Sequence, residues 1–268
     1  MLDTKYYSAA LKADSENRNA RASLAYLLQI RGELHEGLKL DALAYAVEPS
    51  AYFTELQISS SLYLANLPDL AARWLEKAKT MRPDNVFLAD VRARRLFING
   101  EPAKALRLLE QSPSQRSDRV ALLATLQWAL GLNEAKASFA RAQTLASESG
   151  LVCSSCLTFQ LRDKKADNIA SSGVTVSNSQ WPESQVDLAA LLLAQGQSEN
   201  ALDALDRAVE LGYRDWRWLQ THPFLLELRD VPRFKTVIGT IRRRIDIEQR
   251  KILSDQSLAT IIQGPTTS

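Results

Sequence analysis

Two cysteines, Cys153 and Cys156, are the residues of this chain best spaced for chemistry. On a helix, the C-x-x-C interval puts both sulfurs on one face, within bonding reach. A disulfide, a redox couple or half of a metal site would each need such a pair. No third cysteine and no histidine lies near enough to complete a metal site. The strand that precedes a thioredoxin-type motif is absent. Two readings remain: small apolar side chains packed on a helix, or an oxidised pair in an exported protein. No metal and no cofactor is expected.

Other reactive groups are sparse. His35 stands between Glu33 and Glu36 in what reads as a solvated turn, and His222 is far away in sequence. No phosphate loop, nucleophile elbow or H-E-x-x-H zinc motif occurs. The expectation is therefore a non-catalytic protein. Arg242-Arg243-Arg244 and Arg250-Lys251 make one C-terminal helix basic, but Asp246 and Glu248 dilute the charge. Such a run reads as a solvated face, with nucleic-acid or lipid contact as its alternative.

Composition sets the frame. The 268 residues are 46% hydrophobic and 24% charged, with a net charge of +2, as in a folded domain without a polyelectrolyte partner. Ten glycines and nine prolines are few for this length and favour helix over turn-rich β structure. No run of 18 apolar residues exists to span a bilayer, and the first residues lack an apolar signal core.

The elements that must position these side chains follow a repeat. Leu24, Ala25, Leu28, Gly32, Gly37 and Ala44 precede Pro49, and Ile58, Ser59, Leu62, Ala71, Leu75 and Ala78 precede Pro83, 34 residues on. Each block has an apolar-plus-small pair, an apolar residue three further on, a loop, a small residue on a second helix, and a proline. Ala93, Leu96, Ala105 and Leu109 continue the series, then Leu123, Ala124, Ala135, Phe139 and Ala142. After a gap it resumes at Leu188, Ala189, Leu192, Gly196, Ala201, Leu205 and Ala208.

This pattern resembles the tetratricopeptide repeat (TPR). The resemblance implies an all-α fold: a helix-pair solenoid coiled as a right-handed superhelix, with a C-terminal capping helix. The units fall at 18–51, 52–85, 86–117, 118–149 and 182–213, with a degenerate one at 150–181. Within the degenerate unit, Leu151, Leu157, Phe159 and Leu161 suggest one helix and 166–170 a short second one, while 171–180 read as loop. A partial unit at 3–17 precedes the array and offers an uncovered apolar face, so self-association as a homodimer is one prospect. That face also fits a chain that is the C-terminal piece of a longer protein, or an ordinary capping helix. Residues 214–253 read as the cap, with Phe234, Val237, Ile238, Ile241 and Ile245 on one face, and 254–268 as a flexible tail.

The segment from 182 through Trp218, Pro223 and Pro232-Arg233-Phe234 resembles the closing TPR segment of multi-domain bacterial signalling proteins, among them winged-helix regulators and nucleotide cyclases. That implies a regulatory or sensory module, cytoplasmic by default and periplasmic if a membrane anchor precedes it. Sensing of a small molecule at 150–181 is a further prospect.

In a TPR array the first helix of each unit lines a concave groove. The template places Tyr26 and Gln29, Ser60 and Tyr63, Arg94 and Phe97, and Thr125 and Trp128 there. Tyr63, Phe97 and Trp128 are equivalent and should form an aromatic ladder that holds a protein or peptide, with Arg94 as a charged contact. The alternative is that these rings pack against the protein itself. The Lys and Asn that grip chaperone C-termini in one TPR subtype are replaced by Ala22, Tyr26, Leu56 and Ser60.

Overall fold

Small residues decide where the helices cross. Ala25, Ala93, Ala124 and Ala189 on the first helices, and Ala71, Ala105 and Ala201 on the second, have no exposed surface. Only a side chain this short lets two helix backbones approach closely enough to bury the larger residues beside them. Ser59 takes the same slot with a hydroxyl. It is satisfied by donating to the Ala71 carbonyl at 2.6 Å and accepting from Arg95 Nη1 at 3.0 Å, so the buried oxygen has its partners.

The chain is seen in a computed structural model that describes residues 4–48, 52–163 and 179–265. Among these it is all α, without strands. Helix α1 (Thr4–Ala13) precedes four antiparallel pairs: α2 (Arg18–Ile30) with α3 (Leu34–Val47), α4 (Tyr52–Leu64) with α5 (Pro68–Met81), α6 (Val86–Ile98) with α7 (Pro102–Gln111), and α8 (Ser117–Ala129) with α9 (Ala135–Glu148). Helix α10 (Ser154–Arg162) stands before a fifth pair, α11 (Pro182–Ala194) and α12 (Ser198–Leu211). Then follow α13 (Trp216–Thr221), a 3-10 turn (Pro223–Leu228), the long α14 (Pro232–Ser254), a second 3-10 turn (Gln256–Leu258) and α15 (Ala259–Gln263).

Local signals set several boundaries. Asn17 and Asn85 accept from the third backbone N–H of α2 and α6, the satisfaction an N-cap provides. Proline opens α5, α7, α11 and α14, where its missing N–H leaves nothing unpaired. Pro49, the short helix read at 166–170 and all but the last two residues of the loop read at 171–180 lie outside the described residues. Leu151 is an exposed residue ahead of α10 rather than part of it, while Phe159 stacks on Phe139 with ring centroids 4.4 Å apart.

The C-terminal segment does more than cover the last repeat. Helix α14 packs on α12 and, with its second half, on α3. Its Ile252 joins Leu34, Leu38, Ile58, Leu62 and Trp74 in one core. Residues 254–265, read from the sequence as a frayed tail, are packed: Leu258 and Ile261 are fully buried in that same core, and Trp74 Nε1–H donates to the Ile261 carbonyl at 3.0 Å. Short apolar residues with a complementary surface to meet explain the difference; the sequence shows the residues without the surface. The result is a solenoid whose two ends meet.

Two histidines take part in this arrangement. His35 is not a solvated turn residue. It opens α3, its Nε2 lies 2.7 Å from Asp255, and its backbone N–H donates to Glu248 at 2.9 Å. His222 is buried, and its Nδ1 accepts from the Phe224 N–H at 3.2 Å, capping the 3-10 turn.

Candidate functional site

The groove positions are all on the first helices, but the chain treats them in two ways. Tyr26, Gln29, Ser60, Tyr63 and Arg94 line one cavity of about 330 Å³, together with Val91, Arg95, Tyr213, Arg214 and Asp215. A neighbouring cavity of about 630 Å³ shares Tyr26, Gln29, Ser60, Val91 and Arg94 with it. That second cavity runs on over Phe53, Leu56, Phe87 and Leu122 and ends at Arg116. The two form one trough along α2, α4, α6 and α8.

Of the three rings placed in the ladder, Tyr63 lines the trough, whereas Phe97 and Trp128 meet the chain's own C-terminal segment. Phe97 meets Trp218 edge-on with centroids 6.0 Å apart, and Trp128 lies against Phe224 at 4.6 Å. The Tyr63 ring has the Arg95 guanidinium 4.5 Å from its centroid and Arg217 at 5.1 Å. The expectation that all three rings are free for a partner is therefore corrected for Phe97 and Trp128: α13 and the turn after it pack against both, leaving a cavity of about 500 Å³ beside them. Apolar rings this large gain more from a tethered apolar segment than from water. Thr125 is also removed from the groove, since it is buried and its hydroxyl donates to Ala121 of its own helix at 2.8 Å.

Among the remaining positions, Gln29 is held by a bond from its Nε2 to Asp41 at 2.9 Å, and the Ser60 hydroxyl donates to Leu56 at 2.9 Å. Arg94 is fixed from two sides. Its guanidinium lies 4.3 Å over the Trp218 ring, and Nη2 sits 3.4 Å from Asp215. Its Nε is buried without a partner, and so is the Tyr63 hydroxyl. Burial and the nearby Asp215 push the Tyr63 phenol up to about 12, against the pull of Arg217 and Arg95.

Acidic groups face Arg94 from the opposite wall. Glu183 and Asp187, one turn apart on α11, expose their side chains yet are crowded by protein. Crowding pushes Asp187 up to about 6, with Glu183 adding to the rise and Arg94 opposing it. At the far end Asp90 lies between Arg116 at 3.5 Å and the buried Arg119, and desolvation outweighs both cations, lifting it to about 6.

Among the trough residues that escaped the template are Phe53, Phe87 and Val91. Phe53 and Phe87 are half exposed at the mouth, and Arg116 covers the Phe87 ring at 3.9 Å. Their interval is the repeat length itself, so the signal was present in the first turn of the units at 52–85 and 86–117 rather than in their middle.

The cysteines are joined. Cys153 and Cys156 form a disulfide with Cα atoms 5.2 Å apart, Cys153 just ahead of α10 and Cys156 fully buried within it. The alternative of two packed free thiols is corrected. Among the described residues no cluster of His, Cys, Asp and Glu could hold a metal, and no helix is long and apolar enough to cross a membrane.

Paired helices, small residues at the crossings and a lined concave face make this an all-α, TPR-like solenoid. No family model matches the chain, and no curated protein matches it. Solved structures similar to the chain include the following two. That of Pseudomonas aeruginosa pilF is 15% identical, covers 90% of this chain and 98% of its own, and has a TM-score of 0.45. That of YrrB, described as a TPR protein with an unusual peptide-binding site, is 16% identical, covers 85% of this chain and all of its own, and has a TM-score of 0.40.

Proposed function

We propose that this protein is a non-catalytic scaffold that captures a peptide of a partner protein in the trough along α2, α4 and α6. The observation that carries the reading is the trough itself: two adjoining cavities joined at Tyr26, Ser60, Val91 and Arg94. Its floor is apolar, its mouth is edged by the half-exposed rings of Tyr26, Phe53 and Phe87, and Arg94 stands at its centre. Aromatic rings give a large contact area at low entropic cost, and a guanidinium set among them fixes register. The Phe97 and Trp128 half of the groove is packed against the chain's own C-terminal segment. The module contributes capture to a larger signalling protein, as the resemblance of its C-terminal repeat implies.

The test is a screen of the full chain against a random peptide library. Retained peptides should share an apolar residue, and Phe87→Ala should abolish their retention while leaving the helical signal intact. A library that yields no retained peptide, or retention indifferent to Phe87→Ala, overturns the reading.

A further inference from the structure

A second cleft, between α13 and α14, is lined by cations. Gln220 and Thr221 of α13, Arg229 after the first 3-10 turn, and Phe234, Lys235, Ile238, Gly239 and Arg242 of α14 enclose about 520 Å³. It shares no residue with the trough. The floor is apolar and buried, made by Phe234 and Ile238. The walls carry three cations and no carboxylate.

Helical spacing aligns these groups. Lys235, Gly239 and Arg242 stand at i, i+4 and i+7, so they follow one stripe of α14. Arg243 adds a fourth cation beside them, its Nη1 lying 3.6 Å from where a Gly239 Cβ would be. What holds these cations is weak in charge. Arg229 gives Nε to the Gln220 carbonyl at 2.5 Å, and Arg242 lies 5.1 Å from the Trp216 ring. Arg243 donates to the Thr240 hydroxyl at 2.9 Å. Lys235 has Asp230 at 3.5 Å, on a carboxylate fully open to water, where an ion pair counts for little.

Gly239 has no structural reason to be glycine. It sits in the interior of a 23-residue helix, where glycine is less stable than alanine. A Cβ there would meet only the end of the flexible Arg243 side chain, at an ordinary contact distance. The bare position keeps the cleft open between Lys235 and Arg242.

We propose that this cleft binds a small phosphate-bearing anion. A phosphate group carries close to two charges at neutral pH and three strong acceptor oxygens. It can therefore satisfy Lys235, Arg242 and Arg229 together, whereas a single carboxylate would leave cations unmatched. The site is independent of the peptide trough.

The full chain is titrated calorimetrically with inorganic pyrophosphate at low salt. Saturable one-site binding is expected, with Lys235→Ala and Arg242→Ala each weakening it at least about fivefold, the loss of one charge-assisted contact. Lys235→Arg retains binding. Gly239→Leu fills the cleft and abolishes binding, and Gly239→Ala weakens it, both with helicity by circular dichroism unchanged or raised. Arg107→Ala, on the exposed outer helix α7, binds as the parent does. Absence of saturable binding up to roughly 10 mM, or substitutions that leave affinity unaltered, overturns the proposal. So does binding to phosphatidate vesicles or duplex DNA that pyrophosphate does not compete away.

Discussion

Gly212 lies directly against Arg31: a Cβ on Gly212 would fall 2.2 Å from the Arg31 carbonyl carbon. Gly212 also has φ +120°, a region L side chains rarely adopt. This is where the C-terminal repeat touches the N-terminal one. Gly212→Ala should therefore destabilise the protein by about 3 kcal/mol or more, combining backbone strain with a clash the helices must open to relieve. Gly196→Ala, at φ +76° with nothing within 4 Å, should cost only about 1 kcal/mol. Urea denaturation of both variants is the check; equal losses would mean the contact between the ends contributes nothing.

Trp74 ties α5 to the C-terminal segment through its bond to the Ile261 carbonyl. Trp74→Phe keeps most of the apolar volume but leaves that carbonyl only the Gly264 N–H at 3.2 Å, a loss of about 0.5–1.5 kcal/mol for the one hydrogen bond. The segment should then detach more often. Trypsin cleavage after Lys251, on an exposed turn of α14, should quicken relative to the parent; an unchanged rate would show that Leu258 and Ile261 hold the segment alone.

His222 makes stability depend on pH. Burial, then the charges of Arg94 and Arg162, push its imidazole down to about 3 from an ordinary 6.5. The folded state thus favours the neutral ring. The stability this contributes is fully present above pH 6.5 and is lost as pH falls towards 3, because the unfolded chain takes up the proton first. Between pH 7 and pH 5 the loss is about 2 kcal/mol. His222→Asn keeps an acceptor for the Phe224 N–H and cannot titrate. Its unfolding free energy should change less across that interval by about the same amount; parallel curves for the two proteins would contradict the assignment.

Phe87 and Trp128 should separate binding from folding. Phe87 is half exposed at the trough mouth, so Phe87→Ala should cost less than about 1 kcal/mol of stability while removing peptide retention. Trp128 packs on Phe224, so Trp128→Ala should cost about 2–4 kcal/mol. Thermal melts of the two variants give the comparison, and a stable Trp128→Ala would mean the ring belongs to the groove after all.

The architecture was legible because it rests on size at fixed intervals. Ala25, Ser59, Ala93, Ala124 and Ala189 recur in register, and the structure buries each of them completely. The inner wall was legible for the same reason, and five of its eight positions do line an open trough. What fills the other half could not be read. Trp218 and Phe224 are apolar residues in a short, broken stretch, and no periodicity says which wall such a stretch meets. Leu258 and Ile261 posed the same difficulty with even fewer neighbours. The C-x-x-C interval permitted a bond or a packed pair, and only the entry of the chain into α10, with Cys153 outside the helix and Cys156 inside it, distinguishes them.

The meeting of Gly212 with Arg31 also fixes how many repeats can lie between α2 and α12. An open spring of helix pairs lengthens freely by duplication, since a new coil needs only its neighbours. A closed washer cannot: one more coil would carry Gly212 away from Arg31 and pull Ile261 from beneath Trp74. Growth by tandem copying between α2 and α12 is thereby barred, and change there must come by substitution within the coils already present.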